Sequence, residues 1–504
     1  MLLEFLNIWW VLAITAGTWC YVLKCGFVSD DHAVIAERKD IIPDHEKNPK
    51  SENHWVKVFN DGIVMFYLNR AVRKVFGNKP FGWHLLSYCI HLINTFLFYK
   101  VALMFVSNDA ALCATLIWAV NPMQNQIAGW CSGRPYGIAA MMALACMLLW
   151  QYPVVVVPLY VLGVITSVSI GFLPVILMLA HPGTWQGSAY IGALILAVPF
   201  VLWKFQKRFS VNALVMDRKN FHFRMRRFNN IVRIYMYYLA SLFFPVTMGW
   251  YHDAGFAYNE KWDGFNVWAL AGYATVIYIT SQGALGAWFL LGILPQANIF
   301  ATNSYVQDRY LYFGSMGLAI LMAPLCVQYP VLFVAIVAIY ASKSYTYSRH
   351  MINDEHLYRE NWRNHPQATY AINNLSFFLI SQRRYEEARA YIDRGLAIDK
   401  DNKLLWYNLG VTWAATGHFQ NQEGIQRFFR AMECWKRALQ IEPRWKKPME
   451  DLQKLVKVLV DNKIVTLDKN QAMPGMPAIH APLMNKEELS GTTNNTEAGA
   501  AARS

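Results

Sequence analysis

Long apolar runs separated by short polar breaks fill the chain from its start to about residue 345, where the pattern changes. A bilayer-crossing helix needs about twenty mostly apolar residues, and about eleven stretches read as spans by that measure. They cover 5–23, 84–105, 110–120, 136–150, 154–180, 190–203, 231–248, 267–280, 283–294, 312–326 and 331–341. The fifth is long for one helix, and Gly163 and Gly171 are the expected places for a break. The first run lacks a small-residue cleavage site and reads as a retained signal anchor.

Beyond residue 364 amphipathic helices replace the apolar runs. Asn374-Leu375 recurs 34 residues later as Asn408-Leu409, and Ala388 with Gly395-Leu396 recurs as Ala431 with Ala438-Leu439. Together with Tyr385-Glu386-Glu387 and the closing Ile441-Glu442-Pro443, this is the pattern of tetratricopeptide (TPR) helix pairs. The second interval is longer, which predicts an insertion around 421–427. Two repeats fall short of the three usually needed, so helices at 354–361 and 448–460, or the membrane domain, are expected to cap them. The polar, Gly-, Ala-, Asn- and Thr-rich end reads as disordered. The predicted fold is all-α: a polytopic helical bundle over 1–345 with a first outer loop at 24–81, TPR-like repeats over 346–467, and a tail over 468–504.

Composition sharpens this picture. Hydrophobic residues make up 55% of the 504 and charged residues only 16%, against about a quarter charged in a soluble domain. The 19 Trp and 27 Tyr, many near the ends of apolar runs, suit the interfacial aromatic belt. The 8 cysteines form neither a zinc spacing nor a disulfide framework. The net charge of +13 is concentrated between two spans, at Lys204, Lys207, Arg208, Arg218, Lys219, Arg224, Arg226 and Arg227, with Asp217 the only acid. That placement marks a cytosolic loop rather than a nucleic-acid surface. With that loop inside, the segments at 30–44, 121–134, 250–263 and 295–309 share the exoplasmic face. An odd span count puts the repeats there too.

Candidate chemistry sits in those outer loops. Asp30 and Asp31 follow the first span directly. Such a pair can supply a general base for an acceptor hydroxyl, while its neighbour orients donor, acceptor or a divalent metal ion. His84 and His91, seven residues apart on one helix face, are intramembrane histidines that seldom face lipid; interhelical hydrogen bonding is the alternative use. Asn121-Pro122-Met123-Gln124-Asn125-Gln126 leads to Gly129-Trp130-Cys131-Ser132-Gly133-Arg134. Asp308-Arg309-Tyr310-Leu311-Tyr312 opens the tenth span, where an arginine can clamp a lipid phosphate or simply anchor the interface.

In this order the segments resemble GT-C-type glycosyltransferases, with the nearest likeness to the transmembrane, tetratricopeptide-containing O-mannosyltransferases that modify cadherins. The likeness covers most of residues 1–450. It implies transfer of a sugar from a polyprenyl- or dolichyl-phosphate carrier to an acceptor hydroxyl, on protein Ser or Thr, at the outer face of a bacterial inner membrane or the endoplasmic reticulum. It also implies Asp30 as base and Asp31 as its partner, both also candidate metal ligands. Arg309, with Arg134 and Tyr310, would hold the carrier phosphate, and His84, His91, Gln124 and Gln126 would support the site. No cofactor is required beyond that optional metal. The repeats would engage an acceptor protein. Two departures stand out: the family's His-Pro-x-His-x-Glu is Asn121-Pro122-Met123-Gln124-Asn125-Gln126 here, and its Ser-Lys-Glu segment aligns loosely with Ser167-Val168-Ser169. These neutral residues keep a rival open: a catalytically degenerate scaffold for envelope or glycan assembly, acting through its repeats. A transporter is a third reading, but it would need paired broken helices, and 154–180 offers one.

Overall fold

Each predicted apolar run contains helix among its described residues. The computed structural model describes residues 6–38, 62–197, 226–246, 248–250, 267–297, 306–473 and 476–480. All of the basic run except Arg226 and Arg227 lies outside them. The chain divides into two compact units, Met1–Leu375 and Ser376–Ser504.

In the first unit the helices are α1 (Ile8–Trp19), α2 (Ile63–Phe76), α3 (Pro80–Ala102), α4 (Asn108–Ala119), α5 (Arg134–Leu148), α6 (Pro153–Thr166) and α7 (Leu173–Ala180). They continue as α8 (Gln186–Ala197), α9 (Arg226–Phe243), α10 (Val267–Ser281), α11 (Gly283–Ile293), α12 (Leu311–Gln328), α13 (Pro330–Ser348) and α14 (Asp354–Asn364). Among the described residues three helical stretches are long and apolar enough to cross a bilayer: Pro80–Ala102, Asp308–Gln328 and Pro330–Ile352. Several other apolar helices are shorter, at 10–17 residues.

The stretch read as a single fifth span is two helices. The break comes at Ser167, whose extended backbone (φ −152°, ψ 133°) ends α6 and whose side chain caps the following turn through Ser169 N. Gly163 lies inside α6 and serves packing, because an added Cβ would meet Ile170 at 2.5 Å. The predicted seventh span stops early for a similar reason. Pro245 disfavours helix in the residue before it, so α9 ends at Phe243. The carbonyls freed there accept from Asn121 Nδ2 and Tyr340 Oη (Leu242 O, 3.1 and 2.7 Å) and from Lys343 Nζ (Pro245 O, 2.9 Å).

Helix packing in this unit relies on small residues and on a buried polar node. Gly292 and Gly314 let α11 and α12 approach until an added Cβ would lie 2.7 Å from the other backbone, as lipid-solvated bundles favour. His91 bridges Tyr312 Oη at 2.9 Å and Ala119 O at 3.0 Å. Asn94 Nδ2 donates to Gly137 O and Tyr312 Oη, and Trp19 Nε1 donates to Ala119 O. One network thus ties α1, α3, α4, α5 and α12.

The second unit holds the end of α15 (Thr369–Ser381), then α16 (Tyr385–Ile398), α17 (Lys403–Thr416), α18 (Gln422–Ile441) and α19 (Lys446–Asp461). Helices α17 and α18 pack closely: Gly410 admits the Trp435 indole, whose Nε1 donates to Tyr407 O at 3.1 Å. Leu452, Leu455, Val456 and Leu459 of α19 complete that core. The extra residues expected at 421–427 lengthen α18, which starts from an Asn421 N-cap and runs 20 residues. The helix expected at 354–361 to cap the repeats is α14, and it belongs to the first unit. Its Asn361 Oδ1 accepts from Trp250 N at 2.6 Å. The all-α prediction holds, with one addition. A two-stranded antiparallel hairpin, β1 (Thr466–Met473) with β2 (Met476–His480), occupies the start of the stretch whose composition reads as disordered.

Candidate active site

Four segments assigned by sequence to one membrane face meet at a single place. Asp31 bonds Ser132, Gln126 bonds Arg309, and Asn125 bonds both Asp308 and Trp250.

The acidic pair sits on a strained turn. After α1 the chain passes through a 3-10 turn, Cys20–Lys24, and becomes extended at Cys25. Gly26 then pairs with Ile352 O, and its carbonyl accepts from His84 Nε2 at 2.9 Å. Ser29 takes φ +55°, a left-handed conformation uncommon outside glycine. Asp354, the first residue of α14, holds it there: its carboxylate accepts from Ser29 N at 2.7 Å and from His32 Nε2 at 2.8 Å. The two candidate acids lie between those two clamps. Sequence reading missed Asp354 because an acid in the first turn of a helix capped by Asn353 is ordinary.

Asp30 and Asp31 have opposite surroundings. Asp30 is exposed. Asp31 is fully buried; its Oδ1 accepts from Ser132 N at 2.8 Å and Ser132 Oγ at 2.6 Å, and its Oδ2 from Val28 N at 3.4 Å. Burial pushes the Asp31 carboxyl up to about 6, against the opposing pull of the Ser132 hydrogen bonds and the Arg134 charge. A raised carboxyl pKa means that ionisation opposes folding. That contribution to stability is intact below about pH 4 and is lost as pH rises through about 6, on the order of 3 kcal/mol in all. Asp31→Asn is therefore expected to melt higher than the parent at pH 8, with the gain vanishing by pH 4. Thermal unfolding in detergent measures it. An equal shift at both pH values would mean that ionisation is not the cause.

A divalent metal fits this pair poorly. The Asp31 oxygens are met by backbone and hydroxyl donors, His32 is turned to Asp354, and among the described residues no three His, Cys, Asp or Glu side chains are grouped to hold an ion.

Beyond Ser132 lies a pair of arginines. The 3-10 turn Cys131–Gly133 packs so closely on the short helix Asn125–Ala128 that a Cβ on Gly133 would lie 2.1 Å from Gln126 O. Arg134 follows at the start of α5 and is 1% exposed. Its Nε donates to Cys131 O at 2.8 Å and its guanidinium lies 5.0 Å over the Trp83 ring. Its Nη1 and Nη2 have no hydrogen-bond partner among the described residues. Arg309 donates through N and Nη1 to Gln126 Oε1 and packs among Trp130, Tyr310 and Tyr136 at 5.2, 5.3 and 5.7 Å. Arg134 and Arg309 both line a cavity of about 290 Å³, with Arg38, Asn69, Trp130, Ser132 and the α6 break at Thr166–Val168. Asp31 stands behind this wall through Ser132, and Tyr310 supports Arg309 from the side.

The remaining candidates are placed as follows. His84 Nδ1 faces Cys131 Sγ at 3.6 Å, so this side chain links the acidic turn to the arginine turn. His91 belongs to the interhelical node. Gln126 holds Arg309. Gln124 lines a second cavity, about 690 Å³ and almost wholly apolar, with Trp118, Leu318, Phe333 and Lys343. Neither amide atom of Gln124 has a partner among the described residues. Asn69 escaped the sequence reading, although its signal was present: it interrupts the buried stripe Met65, Phe66, Val72 of α2, where an apolar residue is expected.

Comparison with known proteins agrees with the resemblance drawn from the ordered motifs. The chain is similar to protein O-mannosyl-transferase TMTC3 of Homo sapiens, 30% identical over 150 residues, which are 27% of this chain and 16% of that protein. The Mus musculus protein O-mannosyl-transferase TMTC3 is 27% identical over 157 residues, 29% of this chain and 17% of its own length. The matched stretch thus spans about a sixth of these relatives. No family model matches the chain, and no solved structure matches it.

Proposed function

We propose that the chain is a multi-pass membrane glycosyltransferase. In this reading it moves a sugar, mannose by analogy with the relatives, from a polyprenyl-phosphate carrier to a protein Ser or Thr hydroxyl at the exoplasmic face. The observation that carries the reading is buried Arg134, whose two Nη groups have no partner among the described residues and which lines a cavity together with Ser132, the residue that bonds Asp31. A buried cation with unmet donors calls for an anion, and the carrier phosphate is the anion that such chemistry supplies.

The acceptor hydroxyl approaches from the aqueous side, where Asp30 is exposed. Asp30 takes its proton as the oxygen attacks the anomeric carbon. The bond from that carbon to the carrier oxygen breaks, and the phosphate leaves with the electron pair, held by Arg134 and Arg309. Attack opposite the leaving group inverts the anomeric centre. Asp31 positions the Ser132–Arg134 turn, and the repeats bring the acceptor protein. The neutral Asn121–Gln126 segment favours the rival reading, a scaffold without turnover. Mass spectrometry of exported proteins from cells with and without the chain separates the two. Hexose present only with the chain supports the enzyme, and identical proteomes support the scaffold.

A further inference from the structure

The segment that follows α13 touches three of the outer segments at once. Ile352 O accepts from Gly26 N at 3.0 Å, just before the acidic turn. Met351, fully buried, lies so close to Gly129 that an added Cβ there would meet its Sδ at 2.4 Å. Asn361 of α14 accepts from Trp250 N, and Trp250 Nε1 in turn donates to Asn125 Oδ1. Asp354 departs furthest from a routine residue. A carboxylate in the first turn of a helix ordinarily serves its own helix. This side chain is 14% exposed and spends both oxygens on the acidic turn, Oδ1 on Ser29 N and Oδ2 on His32 Nε2. Between those two contacts Asp30 is the exposed residue.

With φ +55°, Ser29 occupies a region that residues other than glycine disfavour. The charge-assisted bonds from Ser29 N and His32 to Asp354 offset that cost. Without them the turn relaxes, and Asp30, the next residue, loses its direction. We infer that Asp354 is a positioning residue for transfer: acting from α14, it holds the left-handed turn that aims Asp30 at the acceptor hydroxyl. The inference rests on the transferase reading above and extends the machinery to the helix that precedes the repeats.

The test is steady-state transfer by the full chain in lipid nanodiscs, from polyprenyl-phosphate mannose to a serine- and threonine-containing acceptor domain. Hydrogen–deuterium exchange at the Ser29 amide is followed on the same samples. Asp354→Ala is expected to lower kcat by about tenfold, leave donor KM within about twofold and speed exchange at Ser29. Glycine takes a left-handed φ without the clamp, so Ser29→Gly added to Asp354→Ala should restore much of kcat. On the Asp30→Asn background, Asp354→Ala should change kcat by less than about twofold, because it acts through Asp30. An unchanged kcat in Asp354→Ala overturns the role. So does a loss that Ser29→Gly does not relieve, or one that persists in full on the Asp30→Asn background. No transfer by the wild type overturns the transferase reading instead. Exchange at Ser29 then decides the clamp alone: upheld if Asp354→Ala speeds it, overturned if it does not.

Discussion

Asp30→Asn is expected to lower sugar transfer by about 10²-fold or more while folding and donor binding stay intact. A serine or threonine hydroxyl is a weak nucleophile at neutral pH and needs a base within hydrogen-bond reach. Asp30 is the exposed acid of the pair, and asparagine preserves its size and most of its hydrogen bonding without its basicity. Asp31→Asn should also impair transfer, by a different route. It alters the carboxylate that fixes Ser132, and through it the turn carrying Arg134. The two variants therefore separate in binding: Asp30→Asn keeps donor affinity, and Asp31→Asn weakens it. Near-normal turnover by Asp30→Asn would remove it from the role of base.

The second large effect belongs to Arg134. Arg134→Lys keeps the charge but loses the planar fork, the Nε bond to Cys131 O and the stacking on Trp83. Affinity for a polyprenyl-phosphate donor should fall about tenfold or more. Arg309→Lys should weaken it less, because part of the Arg309 fork is already committed to Gln126 Oε1. Donor binding measured beside thermal stability checks the order. Equal losses, or a larger one at Arg309, would shift the phosphate subsite toward α12.

The apolar periodicity located the helices well, because a lipid-facing run has one physical solution: every backbone group satisfied within a helix. Helix ends were less legible. Ser167 and Pro245 terminate α6 and α9 through local backbone geometry that a hydropathy window averages away. The candidate site divides along similar lines. Asp31, Arg134 and Arg309 are charged residues in otherwise apolar surroundings, and they stand out in any reading. The convergence of their loops rests on long-range hydrogen bonds such as Asn125 to Asp308 and Ser132 to Asp31, which no local pattern encodes. Asp354 was hidden by resemblance to a routine first-turn helix acid, and Asn69 by the reading of 24–81 as an outer loop, where the structure has the helix Ile63–Phe76. The neutral Gln126 looked like a lost charge in the sequence. In the fold it holds the Arg309 turn without a carboxylate to neutralise it, which leaves the cavity more attractive to an anion.

The most direct test is transfer by the purified full chain, reconstituted in liposomes with radiolabelled polyprenyl-phosphate mannose and a serine- and threonine-containing acceptor domain. The proposed transferase predicts label on the acceptor, bound through a Ser or Thr oxygen, with transfer abolished or nearly so by Asp30→Asn. Label that stays on the carrier, with the donor bound and the wild type no better than Asp30→Asn, would contradict it.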